Sequence, residues 1–262
     1  MNREKPIQKH ISIVMPVHNR AKFLQEAIES ALGQKYENYE LIIVVDGPVN
    51  SDTMEILQKY KVNPHITIYQ KQRNEGPGSA VNFGVSKAKS DYFCRLDSDD
   101  VLKPEAMSVL NEYIGKYPDV SYFYTSRYVI DENSKVVITH ETLPDGMHRS
   151  RKFNKERLLK EYHCNHLICW KKKDFLSVGG MRENMFWAED WELALRMSEK
   201  YLFRNIDEPL YFVREYSGER LTCTTSDEAK NRIVRKMLEN LKKRKFERRK
   251  HYPNVLQLKK AK

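Results

Sequence analysis

The sequence predicts an α/β protein, with a mostly parallel central sheet flanked by helices and a smaller mixed half after it. Three observations lead there. Apolar runs of strand length alternate with amphipathic helical stripes up to about residue 118. The runs are apolar at consecutive positions, the mark of strands covered on both faces. The alternation then breaks down after residue 120, where hairpin signals replace it.

Ile11–Val17 reads as the first buried strand, ending in the polar turn His18-Asn19-Arg20. Phe23, Leu24, Ala27, Ile28, Ala31 and Leu32 then fall on one stripe of a helix. Leu41–Val45 is a second strand and stops at Asp46-Gly47-Pro48, after which Asp52 is expected to cap a helix carrying Met54, Leu57 and Tyr60. A third strand at Ile66–Tyr69, the turn Asn74–Gly78 and a helix over Ser79–Ala88 follow. Tyr92–Leu96 runs directly into Asp97-Ser98-Asp99-Asp100, with a helix from about Pro104 carrying Met107, Leu110 and Ile114.

In the second half, Val120–Ile130 and Lys135–Thr139 read as a hairpin, Glu141–Ser150 as a loop and His166–Trp170 as a short strand. Gly179-Gly180 marks a turn, Ala188–Lys200 an amphipathic helix and Leu210–Val213 a last strand. With no internal repeat or flexible linker, residues 1–225 are expected to form one domain in two halves, 1–118 and 119–225. A C-terminal helix from about Glu228 and a basic tail would occupy 226–262.

Composition narrows the class. Hydrophobic residues at 40% and aromatics at 11% of 262 residues supply a core that a disordered chain lacks. No apolar run approaches the roughly 20 residues of a membrane span. The opening MNREKPIQKHISIV lacks the apolar segment of a signal peptide. Cys94, Cys164, Cys169 and Cys223 form no CxxC pair, so they read as reduced thiols of a cytoplasmic protein.

The net charge of +10 is local. Residues 242–262 hold ten Lys/Arg and one Glu, a net of +9, which leaves the body at +1. A nucleic-acid partner is therefore disfavoured for the body. The tail, with Phe246, Tyr252, Val255, Leu256 and Leu258 among its cations, suits either a solvated extension or peripheral contact with an anionic membrane at its inner face.

Parallel sheets bind ligands beyond the carboxyl ends of their strands, and three strands here end in polar groups. Strand-like alternation would turn Asp97 and Asp99 to one side, where Mg²⁺ or Mn²⁺ could compensate the crowded carboxylates. A solvated acidic turn is the alternative. Asp46-Gly47, taken alone, reads as an ordinary turn, with a carboxylate for a ribose or base edge as the alternative. In Trp187-Ala-Glu189-Asp190-Trp191-Glu192 the acids suit the start of a helix. Apolar walls would also raise a carboxylate there toward base strength. His163, Cys164, His166 and Cys169 match no standard zinc spacing and read as packed side chains.

The order PxHN–R, IIVVDG, NEGPGSAVNFG, LDSDD with a following Pro, then GGM…EDWELALR resembles the inverting nucleotide-sugar glycosyltransferases of family 2. The resemblance covers residues from about 9 to 216 and implies a GT-A fold, Rossmann-like in its donor half, with 119–225 on the acceptor side. It implies that Asp97-Ser98-Asp99 is the DxD motif, with Asp99 as principal metal ligand and Asp97 reaching the ribose or supporting the metal shell. Pro16, His18 and Arg20 would line the nucleotide pocket, and Asp46 would contact uracil or ribose. Asn74, Gly76, Asn82 and Gly84 match the pattern around the donor site, and Asp190 of the Glu189-Asp190 pair matches the general base.

Two positions depart from that pattern. Val45 stands where a first acid is often found, and His18 where an aromatic often sits; both bear on the base the donor carries. Arg214 and Arg220 could clamp phosphates or be solvated. The expected partners are a nucleotide-diphosphate sugar, most simply a UDP-sugar, and a glycan or lipid-linked acceptor. A nucleotidyltransferase is the rival enzyme, but it needs a basic phosphate loop where Pro16–Arg20 offers one cation. A nucleic-acid-binding protein acting through its tail is the rival outside enzymes.

Overall fold

The computed structural model describes residues 9–139, 152–185, 187–216 and Arg232, Arg235, Leu238 and Glu239. Strands β1 (Ile11–Val17) and β2 (Tyr39–Val45) pair in parallel from Ile11–Tyr39 to Val17–Val45, and every residue but Pro16 is buried. β3 (Ile66–Gln70) adds to β2 and β4 (Tyr92–Arg95) to β1, both parallel. Pro16 fits this centre because Val14 turns its carbonyl to Leu96 on the β4 side. Two residues on, Pro16 faces the same side beyond the end of the β4 ladder, so its missing N–H leaves no ladder bond unmade.

Alternate residues of β1 and β2 enter different cores. Ile11, Ile13, Met15, Leu41 and Ile43 pack with α1 (Ala21–Leu32), α2 (Ser51–Tyr60) and α4 (Ala106–Lys116). Ile42 and Val44 face α3 (Pro77–Lys87). Gly84 sets that contact: a Cβ there would lie 2.5 Å from Val14 Cγ1 and 3.2 Å from Val44 Cγ2. The helix can approach this closely only without a side chain.

Two details correct the sequence reading. Asn50 caps α2 by accepting from the Thr53 N–H, and Asp52 sits in the first turn instead. The last strand is far longer than expected, at Leu202–Arg214. Its first half is charged, and Pro209 lies opposite Ser126, between two shifts of register where a bulge tolerates it.

The second half completes a nine-stranded sheet. β5 (Val101–Leu102) and β9 (Leu202–Arg214) pair antiparallel, while β6 (Val120–Ile130) lies parallel to β9. β7 (Val136–Ile138) forms the expected hairpin with β6, and β8 (Cys169–Lys171) runs antiparallel between β4 and β6. The order is β3-β2-β1-β4-β8-β6-β9-β5, with β7 beside β6. Thus the expected mostly parallel half joined to a mixed half is observed. β8 starts later than expected because His166 and Leu167 take positive φ and break the extended backbone. Short helices α5 (Lys155–Leu158) and α6 (Lys172–Ser177) precede α7 (Glu189–Met197).

The chain divides into two compact units, Met1–Ser217 and Gly218–Lys262. In the second, Arg232, Arg235, Leu238 and Glu239 are helical. The Glu141–Ser150 loop, Arg220, Cys223 and the basic tail lie outside the described residues. No helix among the described residues is long and apolar enough to cross a membrane.

Candidate active site

Three strand ends and one helix start supply the site. β1 gives way to His18, whose Nδ1 donates to the Asp46 carbonyl at 2.9 Å, tying the first strand end to the second. Asp46 is buried, and its carboxylate accepts from Lys71 Nζ at 2.9 Å and from the Gly76 N–H at 2.7 Å. Burial works against the Lys71 charge, but its bonds to Glu75 and Asp46 outweigh this and raise its pKa. Asp46 therefore organises the Asn74–Gly76 loop from within. Gly47, at φ 87°, admits that loop: a Cβ would lie 2.4 Å from the Asn74 nitrogen.

Beyond β4 the chain does not stay extended. The Asp100 N–H donates to the Asp97 carbonyl at 3.2 Å and closes a turn, so strand alternation is not what relates Asp97 to Asp99. Asp97 accepts from Arg95 Nε at 2.6 Å, and its N–H donates to the Tyr211 hydroxyl at 3.1 Å. Asp99 accepts from the Tyr216 hydroxyl at 3.0 Å, and that oxygen accepts from Arg20 Nη1 at 3.0 Å. Ser98 is buried within the turn. Asp100 is buried too, and burial first, then the Asp99 and Asp97 charges, push its pKa well above the usual carboxylate range.

The second acid pair opens α7. Ala188 is left-handed at φ 60°, and Glu189, Asp190 and Glu192 fill the first turn, where the helix dipole favours them. A non-glycine residue in that conformation costs about 1–2 kcal/mol. Glu189 accepts from Arg95 Nη1 at 2.9 Å. Asp190 accepts from the Trp191 N–H at 2.7 Å. Burial, then the neighbouring Glu189 charge, pushes its pKa up to about 7, against the pull of Arg95. The Trp191 ring stacks on Tyr162, and its indole N–H donates to the Leu158 carbonyl at 2.8 Å.

Other expected residues serve the frame. Asn82 receives the Met181 N–H at 2.9 Å and donates to the Met181 carbonyl at 2.9 Å, so it fastens α3 to the Gly179-Gly180 turn. Arg214, one of the two suggested phosphate clamps, is fully buried. It donates to the Asp99 carbonyl at 2.9 Å, the Asp131 carbonyl at 3.0 Å and Ser134 Oγ at 2.9 Å, and pairs with Glu26. This corrects the clamp reading, because its donors are spent inside the protein.

Arg95, Lys71 and Tyr216 were absent from the sequence reading. Arg95 had a signal, a lone charge in the apolar run Tyr92–Leu96, since a buried guanidinium requires partners. Tyr216 had none.

Among the described residues no set of three or more His, Cys, Asp or Glu is gathered to hold a metal. Cys94, Cys164 and Cys169 are buried thiols whose pKa burial raises, and a protonated thiol is a poor ligand. Asp97 and Asp99 still suit a hard divalent cation that takes its other ligands from water and phosphate. With Asp97 engaged by Arg95, Asp99 is the better placed of the two.

A parallel half with acids at its strand ends, joined through β8 to a mixed half bearing a second acid pair, defines the GT-A class. The glycosyl transferase family 2 model matches residues 12–174, and the chain belongs to that family. It is 27% identical to the chondroitin synthase of Escherichia coli over 93% of this chain and 34% of that protein. It is 28% identical to the hyaluronan synthase of Pasteurella multocida over 77% of this chain and 20% of that protein. The chain thus spans about a third or less of these relatives.

Among solved structures, TarS of S. aureus in complex with UDP-GlcNAc superposes with a TM-score of 0.73 at 17% identity, over 88% of this chain and 66% of that one. The mannosyltransferase PcManGT of Pyrobaculum calidifontis, in complex with GDP-Man and Mn²⁺, gives 0.60 at 17%, over 82% and 59%. At these identities the likeness concerns the fold.

Proposed function

We propose that this domain transfers a sugar from a nucleoside-diphosphate sugar, with UDP the first candidate, to a hydroxyl of a glycan or lipid-linked acceptor, inverting the anomeric centre. One observation carries the reading. The strand-end acid Asp97 and the helix-start acid Glu189 are held by the same arginine, beside an Asp190 pushed up to about 7. That is a base near operating pH next to a site for a charged leaving group.

Asp190 takes the acceptor proton as the acceptor oxygen bonds to the anomeric carbon. The bond to the diphosphate oxygen breaks on the opposite face, and its electrons leave with the diphosphate. Asp99, with Asp97 in support, would hold Mn²⁺ or Mg²⁺, which supplies Lewis-acid neutralisation of the leaving group. Arg20 faces the same turn through Tyr216 and adds a cation there. His18 and Pro16 border the base, while Asn74 and Gly76 shape its edge under the control of Asp46. Holding donor and acceptor in line supplies much of the remaining acceleration.

The named relatives support a polysaccharide or glycan product, and the ligands in TarS and PcManGT support a nucleotide-sugar donor and a divalent ion. A cytoplasmic domain touching the inner membrane face through its tail would suit a lipid-linked acceptor.

The test is calorimetric titration of UDP, GDP, ADP and TDP, with and without Mn²⁺, into the wild type and Asp99→Ala. Metal-dependent binding of one nucleotide, lost in Asp99→Ala, is expected. Absence of nucleotide binding under every condition overturns the reading.

A further inference from the structure

Arg95 is the last residue of β4, and its guanidinium spans two acids that are far apart in sequence. Nε lies 2.6 Å from Asp97, in the turn after β4, and Nη1 lies 2.9 Å from Glu189, at the start of α7. The Arg95 side chain is 18% exposed and that of Glu189 6%, so water screens that bond little, whereas Asp97 at 38% holds its end of the pair closer to solvent. We propose that Arg95 is a positioning residue that shares one cation between the donor-side acids and the base pair, so that the two sites are electrostatically coupled.

The fork geometry matters. A guanidinium presents donors in a fixed plane and can serve two carboxylates at once, whereas an ammonium is a single point charge. Glu189 thereby acquires a role distinct from its neighbour: it accepts Arg95 and orients the first turn of α7, leaving Asp190 for the acceptor. The groups that act on Asp190 are Glu189 on its own helix, Arg95 from β4, Asp97 from the turn beyond it, Tyr122 from β6, and Tyr162 and Cys164 ahead of β8. Arg95 is the cation in this group and pulls the base toward ionisation; the acids push the other way. The same cation competes with any metal for Asp97.

The coupling therefore has a two-sided signature, which a residue of merely structural importance would not produce. In Arg95→Met the Asp190 carboxyl, followed by ¹³C NMR in metal-free full-length protein and assigned with Asp190→Asn, is expected to titrate about one pH unit or more higher. In the same variant Mn²⁺, titrated calorimetrically in the presence of UDP, is expected to bind about threefold tighter or more, since the competing cation is gone. Glu189→Gln is expected to move the Asp190 midpoint down and leave Mn²⁺ affinity within about twofold. Arg95→Lys, with a single head, is expected to preserve one effect and lose the other.

An Asp190 midpoint that stays put in Arg95→Met, or a shift with unchanged Mn²⁺ affinity, overturns the coupling. Should Arg95→Met fail to fold, Arg95→Lys and Glu189→Gln decide the question. The inference rests on the reading of Asp190 as the base, and the two can fail separately. Transfer that persists in Asp190→Asn removes the base reading, whereas an unmoved titration with Asp190→Asn inactive removes only the coupling.

Discussion

Burial raises the Asp190 carboxyl toward the range the proposed base needs, and the same burial makes it a cost to the fold. Its pKa rises from 3.8 to about 7, so between those values the folded protein keeps a proton that the unfolded chain has released. Through this group stability falls as pH climbs from about 4 to 7, and the loss is complete above that. Asp190→Asn removes the charge in every state. In urea melts at pH 8 it is expected to be more stable than wild type by about 1–3 kcal/mol. Transfer should fall by about a hundredfold or more. Arg214 makes the opposite case: Arg214→Met strips donors from the Asp99 and Asp131 carbonyls and leaves Glu26 without its partner. A loss of about 2–4 kcal/mol is expected, read from the urea midpoint. A phosphate clamp would instead lower nucleotide affinity and leave stability alone. The acids of the site were legible from their residue types at strand and helix ends. The lone charge of Arg95 in an apolar run announced a buried guanidinium but not its partner Glu189, 94 residues away, and nothing local marked Tyr216, whose partner Asp99 stands 117 residues away.

At the scale of elements, the parallel half was readable because each strand is buried on both faces and so apolar throughout. Gly84 shows how tightly the layers then fit. Gly84→Ala drives a methyl toward Val14 Cγ1, a stiff β-branched side chain, and is expected to cost about 1–3 kcal/mol in thermal unfolding. Val14→Ala in the same chain should recover part of it. The same logic explains what was missed. β9 carries Arg204, Asn205, Asp207, Glu208 and Pro209, a composition without strand character, and forms because β6 offers a parallel partner and a bulge absorbs the proline. The turn at Asp97–Asp100 overrode strand alternation because Arg214 and Tyr211 bond its backbone and carboxyl groups.

At the scale of the molecule the charge is divided, with +9 of the net +10 in residues 242–262. If the tail meets an anionic membrane, the full chain should co-sediment with phosphatidylglycerol vesicles at low salt and not with phosphatidylcholine. Raising the salt to about 1 M shrinks the Debye length to about 3 Å and should release it. Binding that is indifferent to lipid charge would sink this idea.

The amino-acid sequence by itself determined the class of fold, the order of most elements, the family resemblance and the candidate acids of the site. Fold class and element order follow from local periodicity and from residue type at element ends, whereas the resemblance rests on motifs in a given order and spacing. Only the tertiary structure decided which charges meet. It spent Arg214 and Asn82 on the frame, turned Asp46 inward to hold a loop, and brought Arg95 between two acid pairs. A buried charge must find its partner wherever the fold places one, and that choice is made by long-range packing.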